Sequence, residues 1–250
     1  MKIAIAGAGG RMGRTLVDAV AVDGELSLVV AVEMPKSPAL GTPAGAVKIT
    51  SDLTTVASAD VVLDFTRPEG TLALLKHAKA MVIGTTGFTE EDKDRIAEAA
   101  KRIPIIVAAN FAVGVNTVYK LAETAARILG DAYDVEIVEA HHRHKVDAPS
   151  GTALQLGQVV ARALERPLQP VHGRKGDVRE RTAKEIGFHS IRGGDIVGEH
   201  TVIFAGIGER VEVTVRSQSR LTYANGALRA AKWLQGRPPG LYAMSDVLGL

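Results

Sequence analysis

Ile3-Ala4-Ile5-Ala6-Gly7-Ala8-Gly9-Gly10-Arg11-Met12-Gly13 opens the chain with a short apolar run, a glycine-rich turn and the start of a helical pattern that continues through Leu16, Val17 and Val20. Strand, glycine turn and helix in that order present backbone N–H groups to a pyrophosphate. The glycines suit a tight turn, close approach of phosphate to main chain, and close packing of helix on strand. Their spacing departs from strict GxGxxG, because the third glycine falls one residue late, so the turn is only moderately specific. A second apolar segment over 26–32 ends in Glu33, twenty residues beyond Gly13. A carboxylate there can accept both ribose hydroxyls of an adenosine. The candidate cofactor loop is therefore Gly7, Ala8, Gly9, Gly10, Arg11 and Met12, with Glu33 beside it. The competing reading is a glycine turn in some other α/β protein with an incidental glutamate.

Three further apolar runs, 61–65, 81–84 and 105–108, read as strands buried on both faces. Helical patterns over about 68–79 and 90–101 separate them, and this alternation predicts a doubly wound parallel sheet that binds ligands at the carboxyl ends of its strands. Two such ends, Gly84-Thr85-Thr86-Gly87 and Ala108-Ala109-Asn110-Phe111, carry small and turn-forming residues where a nicotinamide and its ribose would approach main chain. Taken singly, each also reads as a short loop.

The composition bounds the rest. At 250 residues the chain makes one large domain or two modest ones, and 46% hydrophobic with 23% charged residues is ordinary for a globular protein. A net charge of +2 is too small to argue for nucleic acid or an anionic membrane as the partner. With no cysteine there are no disulfides, no Cys-ligated zinc and no Cys nucleophile. The first residues run directly into a strand, and no apolar run reaches about 18 residues, so the expectation is a soluble, cytoplasmic protein.

Past Phe111 the pattern changes to a helix over 115–129, a strand over 134–140 alternating loosely between apolar and acidic residues, and then His141-His142-Arg143-His144-Lys145-Val146-Asp147-Ala148-Pro149-Ser150-Gly151-Thr152. Three of the seven histidines and two fixed cations thus fall within five residues. Adjacent like charges depress one another's proton affinity, so the run makes most sense where a multiply anionic ligand sits. A helix starts near Ser150 or Gly151, and its first N–H groups favour carboxylate or phosphate. A metal site on His142 and His144, aligned on an extended chain, lacks an accompanying carboxylate spacing. A solvated charged loop is a second reading of the cluster and a nucleic-acid patch a third, the latter without interleaved aromatics. The fourth is a proton-donating site for a small di-acid, with histidine as carrier and a lysine whose pKa is lowered by neighbouring cations. Beyond a polar stretch from 166 to 184, segments 186–191, 196–204 and 210–216 read as an antiparallel meander, an open sheet of the kind that often packs on a copy of itself. A last helix over 224–235 fits either domain.

The run 139–154 closely resembles the signature of the dihydrodipicolinate reductases, also called 4-hydroxy-tetrahydrodipicolinate reductases. Gly7 to Gly13, Asp64-Phe65-Thr66, Gly84-Thr85-Thr86-Gly87, Ala109-Asn110-Phe111, the run from Arg192 to His200 and Ser219-Arg220 are similar to that family in order and spacing. The resemblance implies a Rossmann-type dinucleotide-binding domain (1–112 and 221–250) and an α+β substrate-binding and tetramerisation domain (113–220) with an open mixed sheet. It implies NADH- or NADPH-dependent reduction of 4-hydroxy-tetrahydrodipicolinate on the diaminopimelate and lysine route, in a homotetramer. By position, His141 is the acid/base group and Lys145 the second proton donor. His142 contacts one substrate carboxylate, Gly151 and Thr152 hold the other, and no metal takes part. Two positions depart from the family. Met34 follows Glu33 where many relatives carry arginine, which predicts that NADH serves at least as well as NADPH, with Lys36 a partial substitute. Arg216 stands where relatives often carry histidine. The rival functions are another small-acid dehydrogenase and a non-catalytic NAD(H)-sensing module.

Overall fold

Successive residues of a strand face opposite sides of the sheet, so a strand covered on both sides has to be apolar throughout. Ile3, Ala4, Ile5 and Ala6 meet that requirement and are at most 1% exposed. In the computed structural model, which describes residues 1–250, they form β1 (Lys2–Ala6). The chain continues through α1 (Arg11–Ala21), β2 (Ser27–Val32), β3 (Pro43–Ala44), β4 (Val47–Thr50), β5 (Val61–Asp64), α2 (Pro68–Leu74), β6 (Met81–Ile83), α3 (Glu90–Ala100) and β7 (Pro104–Val107). Then follow α4 (Val113–Leu129), β8 (Asp134–His141), α5 (Gly151–Ala163), β9 (Pro170–His172), β10 (Ile186–Arg192), β11 (Gly198–Ala205) and β12 (Arg210–Ser217). Last come α6 (Leu221–Leu234), β13 (Gly240–Tyr242) and α7 (Met244–Leu248). The chain divides into two compact units, Met1–Val113 with Arg220–Leu250, and Gly114–Ser219.

The first unit holds a sheet in the order β13-β7-β6-β5-β1-β2-β4-β3, parallel except where β3 meets β4. Ile3, Ile5, Leu63 and Val82 face α1 and α6, packing against Leu16, Ala227 and Ala231. Ala4, Ala6, Met81 and Ile83 face the other way, against Leu72 and Leu74 of α2 and Ile96 and Ala99 of α3. This is the doubly wound arrangement that the alternation predicts, and the last long helix belongs to this unit. Helix α2 stops at Leu74 rather than near 79, because the chain tightens into a turn with His77 N–H bonded to Leu74 O at 2.9 Å. Leu75 and Ala78 still reach the core from that turn, so the apolar spacing outlives the helix.

In the second unit the sheet order is β12-β11-β8-β10-β9. The meander expected over 186–216 is thereby corrected. β11 and β12 do pair antiparallel, but β8 lies between β10 and β11, parallel to the first and antiparallel to the second. The link from β10 to β11 passes over the carboxyl end of β8, where Gly193 N–H bonds His141 O at 3.0 Å and Arg143 N–H bonds Gly194 O at 3.2 Å. The polar stretch after α5 also contributes an edge strand, β9, paired with β10. Helices α4 and α5 cover one face through Val118, Ala122, Leu156 and Val160.

Candidate active site

The register of the second sheet builds the site. On the face covered by α4 and α5, Val135, Ile137, Glu139 and His141 share one side of β8 by the period of two. Across the strands, Ile186, Val135 and Phe204 form one row, and Phe188, Ile137 and Val202 the next. The third row is Ser190, Glu139 and His200, and beyond it Arg192 pairs with His141. Two apolar rows are thus followed by polar ones, with Glu139 only 1% exposed and His200 4%.

A carboxylate so deeply buried has to be paired. Arg192 forks onto Glu139, Nη1 to Oε2 at 2.9 Å and Nη2 to Oε1 at 2.7 Å, and donates again to Asp147 O at 2.6 Å. Ser150 N–H adds a bond to Oε1 at 3.3 Å, and His141 Nδ1 lies 2.5 Å from Oε2. Burial alone would raise the Glu139 carboxyl, but the hydrogen bonds from Arg192, Ser190 and His141 outweigh it and hold the pKa at about 2. His141 is pushed below its ordinary value by burial, with Lys145 and Arg192 adding to the effect and Glu139 opposing it. His200 drops to about 4, chiefly by burial and then by the nearby cations. Its ring lies edge-on to His141 with centroids 5.1 Å apart, and its Nε2 is 2.9 Å from Ser150 Oγ.

Ser150 is also the cap of α5, its Oγ accepting from Ala153 N–H at 3.2 Å. The first residue of that helix, Gly151, faces open space, where an added Cβ would meet nothing within 4 Å. Burial pushes the Tyr119 hydroxyl of α4 up to about 12 against an opposing hydrogen bond with Thr152, so the second residue of α5 is tied to the neighbouring helix. The loop between β8 and α5 turns at once, with Lys145 N–H bonded to His142 O at 3.1 Å. It is not the extended run that a His142–His144 metal pair needs, and no group of three or more His, Asp or Glu side chains converges as metal ligands do. Lys145 Nζ grips both oxygens of Asp147 at 2.9 and 2.8 Å. Arg143 and His144 are exposed, whereas His142 is half-buried with its Nδ1 inaccessible and unpartnered.

In the first unit the glycine turn lies at the carboxyl ends of β1 and β2. Gly7 adopts φ +72°, and Gly7 and Ala8 N–H both bond Val32 O, at 2.9 and 3.2 Å. A Cβ on Gly13 would sit 2.0 Å from Gly7 O, so only glycine lets α1 approach the turn this closely. The start of α1 has no side-chain cap, which leaves its first N–H groups turned to the loop. Glu33 reaches the same turn and accepts from Gly9 N–H at 3.0 Å and Met34 N–H at 3.1 Å. A cleft of about 480 Å³ lined by Ala8, Gly9, Arg14, Ala39 and Thr42 opens beside it. The ends of β5, β6 and β7 adjoin, with Gly84 N–H on Asp64 O at 2.8 Å and Ala108 N–H on Ile83 O at 3.1 Å. Thr85 is buried and donates to Asp64 at 3.3 Å, whereas Thr86 is exposed. Phe111 is buried against Phe65, ring centroids 5.6 Å apart, and Ala112 N–H bonds Asn110 Oδ1 at 2.9 Å; Ala109 lies in the same loop.

Residues 1–111 match the family model described as dihydrodipicolinate reductase, N-terminus, and residues 114–248 the one described as dihydrodipicolinate reductase, C-terminus. The chain belongs to the dihydrodipicolinate reductase family. It is 56% identical over 264 aligned residues, covering all of both chains, to a protein of Burkholderia ambifaria named 4-hydroxy-tetrahydrodipicolinate reductase. A protein of the same name from Aromatoleum aromaticum is also 56% identical, with 100% of this chain and 96% of that one covered. Among solved structures, dipicolinate-bound dihydrodipicolinate reductase from Paenisporosarcina sp. TG-14 superposes with a TM-score of 0.81 at 28% identity, over 98% of each chain. Within this member of the family, Glu139, Ser150, Arg192 and His200 surround His141, although the motifs alone give none of them a role. For Glu139 the signal was parity: it shares a strand face with Val135 and Ile137, so an acid there is a buried one.

Proposed function

We propose that the chain reduces 4-hydroxy-tetrahydrodipicolinate at the carboxyl end of β8, using NADH or NADPH held at the glycine turn of the first unit. The observation that carries this reading is the buried row of Glu139 and His200 beside His141, set between Lys145 and the start of α5. When bound, the dinucleotide supplies the hydride. Gly7, Ala8, Gly9, Gly10, Arg11 and Met12 would hold its phosphates and Glu33 its ribose, and the uncapped start of α1 with the Gly13 contact fits that use. Gly84, Thr85, Thr86, Ala108, Ala109, Asn110 and Phe111 would line the nicotinamide end.

His141 and Lys145 are the proton carriers. His142 and the Gly151-Thr152 start of α5 receive the two substrate carboxylates, which agrees with the open space before Gly151. The protein's share of the rate is therefore orientation, positive charge and a positioned proton. Oxidation of NADH, followed optically with pyruvate, aspartate semialdehyde and the upstream synthase, tests the reaction. His141→Gln and Lys145→Ala are each expected to lower kcat by roughly 100-fold or more with cofactor affinity retained. Wild-type turnover in both variants would overturn these roles.

NADH is the cofactor expected to serve at least as well as NADPH. Met34, 67% exposed, puts no cation next to Glu33. The ratio of kcat/KM for the two cofactors checks this, and a tenfold preference for NADPH contradicts it. The homotetramer goes with the sheet face left uncovered by helices, where Ile191 is 52% exposed. A cytoplasmic location belongs to the same reading.

A further inference from the structure

Naming His141 as a proton carrier leaves a choice between its two ring nitrogens. Nδ1 faces Glu139 Oε2 at 2.5 Å. An ionised carboxylate accepts and cannot donate, so the proton in that contact is carried by Nδ1. Glu139 is not free to turn away, since Arg192 holds both of its oxygens and Ser150 N–H holds one. On the other flank, Ser150 Oγ accepts from Ala153 N–H at 3.2 Å and lies 2.9 Å from His200 Nε2, a contact that either neutral tautomer of His200 can make. Burial lowers the His200 pKa to about 4, so this ring is neutral. The charged groups around His141 are thus Glu139 on its own strand, Arg192 on β10, and Lys145 with Asp147 on the loop.

We propose that Glu139 is the positioning residue of this site and Arg192 its anchor: Glu139 binds the Nδ1 proton of His141 and so presents Nε2 as the nitrogen that gives its proton to the substrate. The proposal rests on the reading of His141 above. In the step, the N–H bond at Nε2 breaks as the substrate gains the proton. The ring passes from imidazolium to neutral imidazole with Nδ1–H still on Glu139, and solvent water returns the proton afterwards. Carboxylate and guanidinium fix the tautomer here as second partners fix it on other functional histidines.

Glu139→Gln tests this at nearly constant volume. Arg192 and Ser150 N–H would take the amide oxygen, turning the amide NH2 toward Nδ1 and forcing the ring proton onto Nε2, which disfavours the imidazolium. Expected are a kcat lowered about 100-fold and a high-pH limb of the kcat profile moved down by about one pH unit or more. KM for NADH stays at the wild-type value, and Glu139→Asp partly restores the limb. A merely structural role lowers folded yield and leaves the limb in place. An unmoved limb with wild-type kcat overturns the proposal. His141→Gln separates the two readings: activity surviving in that variant overturns the role of His141 itself. If it is inactive while Glu139→Gln behaves as wild type, only the positioning role falls. Should Glu139→Gln fail to fold, Arg192→Lys keeps the charge but loses the fork, and the same limb is expected to move by a smaller amount. A wild-type profile there overturns the proposal.

Discussion

Arg192→Met strands the Glu139 carboxylate in the sheet, and its cost follows from the contacts. Two charge-assisted bonds of 2.9 and 2.7 Å disappear, leaving His141 Nδ1, the Ser190 hydroxyl and the 3.3 Å bond from Ser150 N–H, none of them a fixed cation. Removing one partner of a buried ion pair costs about 3–5 kcal/mol, and a guanidinium that is 20% exposed belongs at the lower end, about 3 kcal/mol. Titration sets an upper limit of the same size: lowering the Glu139 pKa from 4.5 to about 2 corresponds to about 3.4 kcal/mol, shared among Arg192, Ser190 and His141. A depressed carboxylate contributes stability that is complete above pH 4.5 and lost as pH falls toward 2. In Arg192→Met the Glu139 pKa rises, so this acid limb flattens. Urea unfolding followed by circular dichroism at pH 7 is expected to show the loss, with Tm lower by roughly 6–12 °C. Adding Glu139→Gln removes the stranded charge, and the double variant is expected to recover more than about 1 kcal/mol relative to additivity. A loss under about 1 kcal/mol, or strict additivity, would refute the reasoning.

Gly13→Ala places a Cβ 2.0 Å from Gly7 O and is expected to destabilise by about 1–3 kcal/mol and weaken NADH binding. An unchanged melting temperature and NADH Kd contradict that account of the turn. His200 titrates at about 4 in the folded protein against 6.5 when exposed, so stability is full above pH 6.5 and falls toward pH 4. His200→Gln is expected to remove that slope, about 1.4 kcal/mol per pH unit, from urea unfolding measured between pH 6.5 and 4. The same slope in the variant argues against a buried neutral His200.

The first unit was legible because its strands are short apolar runs separated by helical spacing, and Gly7 to Gly13 states the turn outright. What was not legible there is small: β3, β13 and α7 are brief and fixed by their neighbours rather than by a pattern of their own. In the second unit, strand segments were visible but their order was not. Alternation in 186–192 and 198–205 says that each is a strand and nothing about β8 coming between them. The histidine cluster marked the site by local charge. Its supports, Arg192 and His200, are 53 and 61 residues from Glu139 in sequence and reach it only through register. Glu136 and Glu139 looked alike as acids in a strand. Their opposite parity sends Glu136 to Arg174 and Arg181, and Glu139 to the site.

The insertion of β8 between two later strands also orders the making of the protein. His141 and Glu139 leave the ribosome about fifty residues ahead of Arg192, an interval of a few seconds at ~5–20 residues per second. Until then the central strand has neither neighbour, and its buried acid has no guanidinium to receive it. A chain cut between residues 148 and 191 keeps the whole histidine cluster and the Lys145–Asp147 pair but lacks the guanidinium that receives Glu139. The first unit waits longer still, since α6 covers one face of its sheet. A truncated chain is therefore expected to expose the central strand of the second unit and one face of the first unit's sheet.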